Sequence, residues 1–282
     1  MIRLIKVDLQ RVLRDKLIWI ACVIAVFFAV STPLTYFLLF EVLGDALGDV
    51  GEMSEMLSGM GVSISAKSQF FTSFSLINNF GLIFPVLLAI VFSKDFGQGT
   101  MRNKIISGHS RNTVFFSAYT SCLITTLAVM LAQATLTMLV ALIFFPFQDT
   151  PFFFTDLGYV LLSVLFECVL YAYVSAIVVA ICMAVKNAGI AAVLTLAVIL
   201  VAGMATSMLQ MGEMLLGTMM TPTLSRVFDA LQRIDVFGYS NLIGQGITYT
   251  VGEALCFGLL PLVGCASVLS LGAYVFRKSN LK

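Results

Sequence analysis

Six apolar runs, each long enough to cross a bilayer, dominate the sequence: approximately Leu17–Phe40, Phe74–Phe92, Thr113–Phe145, Leu157–Val185, Ala188–Leu209 and Ala254–Phe276. A helix rises about 1.5 Å per residue and a hydrocarbon core is roughly 30 Å thick, so one crossing takes about 20 mostly apolar residues. Transmembrane barrels show short segments of alternating polarity, whereas these runs are unbroken, so the spans are helices. The third and fourth exceed one crossing and are expected to tilt or protrude. With 60% hydrophobic and 11% charged residues and a mean hydropathy of +1.02, a water-soluble globule is excluded. A net charge of +1 on so apolar a chain excludes disorder as well. The expected fold is an all-α membrane protein, a single transmembrane domain over residues 1–282.

Lys and Arg set the orientation, because cytoplasmic flanks are enriched in them. Thirteen of the 16 fall on one side: Arg3, Lys6, Arg11, Arg14 and Lys16, then Lys94, Arg102, Lys104 and Arg111, then Lys186, and finally Arg277, Lys278 and Lys282. Lys67, Arg226 and Arg233 fall opposite. Both termini are therefore expected in the cytoplasm. Most acids lie on the outer side, from Glu41, Asp45, Asp49, Glu52 and Glu55 to Glu253, which fits but carries little topogenic weight. A cleaved signal peptide fits the first run poorly, since that run is far longer than a signal core and ends in Tyr36 to Phe40 rather than in small residues. All six cysteines lie inside predicted spans, with neither a disulfide framework nor a zinc spacing.

Three segments outside the spans have structure of their own. Residues 1–16 place Ile2, Ile5, Leu9, Val12 and Leu13 on one helical face and Arg3, Lys6 and Arg14 on another, as in an interfacial helix that presents cations to anionic lipid; a merely basic flank is the equal alternative. The first outer loop, about Glu41 to Ser73, reads as a solvated loop in which Val42, Leu43, Ala46, Leu47 and Val50 allow a short outward helix. In the outer segment 210–253, Thr221 and Pro222 form an N-cap and first-turn signature. Leu224, Val227, Phe228, Leu231 and Ile234 then recur at helical spacing, and Gly238 is a stop. With Arg226, Asp229, Arg233 and Asp235 interleaved, this helix lies on or dips into the outer leaflet, an interfacial or re-entrant element before the sixth span.

The most informative segment is the loop 93–112 between the second and third spans. Gly97 and Gly99 break the second span, Thr100 can cap a short helix to about Ser107, and Gly108 can end it. Charge alone makes this a positive-inside loop, but a capped helix is more than a charge signal needs. In Asp95, Gly99-Thr100, Arg102-Asn103-Lys104 and the Gly108-His109-Ser110-Arg111 close, it resembles the loop of permease subunits of bacterial ABC type-2 exporters. The layout of N-terminal amphipathic helix, six spans, outer segment and short basic tail is similar too. That family often has Glu where this chain has Asp95. The resemblance implies that Gly99 to Ser107 is a coupling helix docking on a separate ATPase, with Asp95, Gly99, Thr100, Arg102, Asn103, Lys104, Ser110 and Arg111 in the coupling loop. It also implies a second permease copy, as a homodimer or with a similar chain, and an exported hydrophobic or amphipathic cargo such as an antimicrobial peptide, a lipid-like molecule or a drug. The sequence has no G-x-x-x-x-G-K-[ST] loop, so ATP is expected on the partner, and no cofactor, enzymatic activity or nucleic-acid partner is expected of this chain.

Within the spans, Glu167 is the one deeply placed acid, and such residues are functional candidates. Asn78, Asn79 and Gln133 fall at comparable depth and with Glu167 form a candidate polar cluster, either lining a route or joining helices, the latter weighing more. A self-sufficient ion-coupled transporter or channel using Glu167 is the rival reading. An intramembrane enzyme lacks a Ser/His dyad, paired acids or a metal site. His109, the only histidine, has no metal-ligand partners and reads as a loop residue, while Trp19 beside Lys16 reads as an interfacial anchor.

Overall fold

A computed structural model describes residues 1–47, 66–76, 79–144, 154–216, 222–239 and 251–279, and every regular element among them is a helix. In chain order these are α1 (Ile2–Arg14), α2 (Lys16–Leu47), α3 (Ala66–Thr72), α4 (Asn79–Gly97) and α5 (Thr100–Ile106), then α6 (Arg111–Phe144), α7 (Phe154–Val185), α8 (Ala188–Leu216), α9 (Pro222–Ile234) and α10 (Val251–Lys278). Six of them, α2, α4, α6, α7, α8 and α10, are long and apolar enough to cross a membrane. Asp15 separates α1 from α2: its extended backbone ends the first helix, and its carboxylate accepts the Leu17 N–H at 3.0 Å as the N-cap of the second.

The most extensive packing joins α7 to α10, α4 to α8 and α2 to α6, and further α7 contacts with α4 and α6 knit these pairs together. Small residues set the closest approaches, since helices in an apolar environment associate through packing rather than through expulsion of water. A Cβ at Gly272 would stand 2.9 Å from the Phe115 ring and 3.1 Å from the Ala180 Cβ, so α10 meets α6 and α7 where it lacks a side chain. Pro33, Pro85 and Pro261 lie inside α2, α4 and α10, which continue through them.

Boundaries around the second span differ from the sequence expectation, and the helix of the fifth span runs on to Leu216. The second span begins at Asn79 rather than near Phe74, and the stretch from residue 66, expected as solvated loop, packs against α6 as α3. Phe70 and Phe71 of α3 and Phe74 in the turn after it explain this, because all three rings are buried here. The turn after α3 is tied down by the Tyr171 hydroxyl, which donates to the Phe74 carbonyl at 2.6 Å. It also crosses α4 at Gly81, where any Cβ would collide with the Ser75 carbonyl. In the later segment, α9 begins at Pro222 as expected; Thr221 lies outside the described residues. The Thr206 hydroxyl donates to Asp235 at 2.6 Å, joining the end of α9 to α8. The Phe96 and Phe115 rings both lie 6.4 Å from Phe276, so the end of α4, the start of α6 and the end of α10 gather at one end of the bundle, where Arg11 of α1 also pairs with Asp95.

Candidate coupling interface

At that end α5 stands between α4 and α6. Two glycines bound it: Gly99 at φ +68° is its N-cap and Gly108 follows at φ +92°, both in a region that a Cβ disfavours. Thr100, expected as the cap, is instead the first residue of the helix, and its hydroxyl donates to the Asp95 carbonyl at 2.9 Å, fastening α5 to the last turn of α4. Met101, 1% exposed, anchors the inner face.

Ion pairs hold α5 in place. Lys104 reaches Asp8 of α1 at 2.6 Å and Asp95 at 3.9 Å, and Arg11 of α1 pairs with Asp95. The Ser117 hydroxyl of α6 donates to the other Asp8 oxygen at 2.7 Å. Beside this cluster Lys94 pairs with Asp15 at 2.9 Å. Asp8 and Asp95 are only 1% exposed, so the two carboxylates are neutralised away from water by Lys104, while the Arg11 guanidinium reaches Asp95 from a partly exposed position. Removing one member of such a pair strands a buried charge, at a cost of about 3–5 kcal/mol. Around Asp15, burial is the largest single influence and acts upward, yet the Leu17 N–H and the Lys94 ammonium together outweigh it and hold the carboxyl below its ordinary range.

The residues assigned to coupling thus divide into two groups. Asp95 and Lys104 face inward and Gly99 and Thr100 shape the helix start, while Arg102 and Asn103 are exposed. Ser110 accepts the Thr113 N–H at 3.2 Å as a cap for α6. Arg111 donates to the Arg277 and Ser279 carbonyls at 2.7 Å each, satisfying the end of α10. Ile106, 71% exposed and one turn beyond Arg102, completes an outward ridge. His109 is exposed beside it.

Sequence reasoning passed over Asp8, Arg11, Asp15 and Ile106. The signal for Asp8 was its register, because with Leu4 and Val12 it forms an i, i+4, i+8 stripe, and that stripe is the buried face of α1. The apolar positions Ile2 and Leu13 are 84% and 51% exposed instead.

Of the intramembrane candidates, Asn78 lies outside the described residues and so does the side chain of Asn79, although Asn79 opens α4. Glu167 is fully buried, with no hydrogen-bond partner for either carboxyl oxygen among the described residues. Gln133 lines a cavity that does not include Glu167. No group of His, Cys, Asp and Glu among the described residues has a metal-holding arrangement. No family model, curated protein or solved structure matches this chain.

Proposed function

We propose that the chain is the transmembrane subunit of an ATP-driven exporter in a bacterial cell membrane, with both termini cytoplasmic and a separate ATPase as its motor. The observation that carries this reading is α5: a helix bounded by two positive-φ glycines, tied by buried ion pairs on its inner side and presenting Arg102, Asn103 and Ile106 on its outer side. A loop serving only as a positive flank needs no such brace. In this reading α1 lies in the cytoplasmic headgroup layer, where Ile2, Val7 and Leu13 meet lipid and the cations of the helix meet phosphates. Two permease copies, or this chain with a similar one, switch access as the ATPase closes and moves α5. The cargo class is hydrophobic or amphipathic.

The test uses the chain purified with its ATPase. Arg102→Glu combined with Ile106→Asp should separate the two proteins and stop ATP-driven uptake into inverted vesicles, with the thermal stability of the permease unchanged. Intact assembly and transport in that double variant would overturn the proposal. Lys104 is unsuitable for such a test, because its reversal would break the pair with Asp8.

A second reading, an ion-coupled transporter, is favoured by Glu167, whose two oxygens have no described partner. Transport driven by an ion gradient without ATP, and lost in Glu167→Gln, would establish it in place of the first.

A further inference from the structure

Asp8, Asp15 and Asp95 are the only acids in residues 1–16 and 93–112, and each is spent on an internal partner, Lys104, Lys94 and Arg11 in turn. What α1 shows outward is therefore of one sign. Arg3, Lys6, Arg14 and, just beyond the helix, Lys16 are exposed and make no ion pair among the described residues. Arg3, Lys6 and Arg14 share the helical face opposite the buried Leu4, Asp8 and Val12, with the exposed Ile2, Val7 and Leu13 along its borders. Trp19 extends this surface: its indole N–H donates to the Leu13 carbonyl at 3.1 Å, which sets the exposed ring against the end of α1. Cations alone suit any acidic surface. Interleaved with apolar side chains, on a helix that runs directly into a membrane span, they fit a leaflet that offers hydrocarbon and negative charge together.

We infer that α1 reads membrane charge: anionic headgroups grip its outer face, and the Asp8–Lys104 ion pair on its inner face passes that grip to α5. The two faces are segregated, so lipid loads the outer one without disturbing the inner one. Asp8 joins α1 directly to Lys104 of α5, while Arg11 fastens α1 to Asp95 of α4 and keeps the inner face docked over any lipid. Each basic residue close to an anionic surface is worth about a fivefold gain in partitioning, which lipid without net charge does not supply. The exposed Ile2, Val7 and Leu13 contribute equally over both kinds of lipid, so the cations alone make the hold depend on headgroup charge. Lipid sensing of this kind rests on the headgroup-layer placement of α1 proposed above and needs neither an ATPase nor a cargo.

The full chain is reconstituted in nanodiscs of phosphatidylcholine, alone or mixed with phosphatidylglycerol, and amide hydrogen exchange is followed by mass spectrometry in peptides from α1 and α5. Exchange in both helices should be at least tenfold slower with phosphatidylglycerol in low salt. The difference should shrink at about 1 M salt, where the Debye length falls to about 3 Å. Arg3→Gln with Lys6→Gln and Arg14→Gln should exchange as the parent does in phosphatidylcholine, because these side chains have no ion-pair partner in the bundle, and should gain no protection from phosphatidylglycerol. Asp8→Asn with Lys104→Met should uncouple the helices, so that phosphatidylglycerol still slows α1 and no longer slows α5. Equal exchange of the parent in the two lipids would turn the cations toward a partner protein rather than the leaflet and overturn the inference. So would a lipid effect that survives in the triple variant, one that reaches α1 but not α5 in the parent, or one that still reaches α5 in the uncoupled pair. The nanodiscs contain no ATPase, so failure here leaves the proposed function standing, and failure of that function leaves the exchange result standing.

Discussion

Asp8→Asn would leave the Lys104 ammonium without its nearest carboxylate in a site that excludes water. The expected loss is about 3–5 kcal/mol, read as a lowered thermal midpoint in detergent. Asp8→Asn with Lys104→Met should recover much of it, because no stranded charge remains. A single variant as stable as the parent would mean that water reaches the cluster. Asp15 makes a weaker but pH-readable contribution. Its carboxyl is held below the ordinary value, so its stabilisation is complete above about pH 4 and disappears as the pH falls through the lowered folded value. Acid titration of Asp15→Asn should therefore show a shallower loss of stability than the parent in that range.

At the scale of elements, two glycines have opposite reasons for being there. Gly99→Ala meets no neighbour but must hold φ +68°, which costs about 1–2 kcal/mol and loosens the start of α5; hydrogen exchange at Asn103, whose N–H bonds to the Gly99 carbonyl, should accelerate. Gly272→Val keeps a normal backbone and instead forces Phe115 and α7 apart, with an expected loss of about 1–3 kcal/mol and weaker α10 docking. The existence of these elements was legible in the sequence because it is local: apolar length marks the spans, and Gly99 and Gly108 bracket α5. Which side of α5 faces inward was not. Arg102 and Lys104 are two residues apart and chemically alike, and only Asp8, from the far end of the sequence, decides that Lys104 is buried. The fate of the first outer loop was equally hidden. Three phenylalanines in a Ser- and Gly-rich stretch carry a weak hydropathy signal, and their burial depends on the wall that α6 presents.

For the whole molecule, the meeting of α4, α6 and α10 around Phe276 predicts that tags on both termini share one side of the membrane. Protease should reach both tags in inverted vesicles and neither in right-side-out ones; a split result would contradict the packing of α10 against Phe96 and Phe115. The buried charge cluster bears on how this end can move. Lys104 grips α1, Arg11 grips the end of α4, and Lys94 holds the Asp15 that caps α2. Breaking the buried Lys104–Asp8 pair costs about 3–5 kcal/mol, well above thermal agitation of about 0.6 kcal/mol, so α5 does not tilt by itself. A load applied at Ile106 is shared at once by the feet of two long helices, and the short helix works less as a lever than as the keystone of an arch.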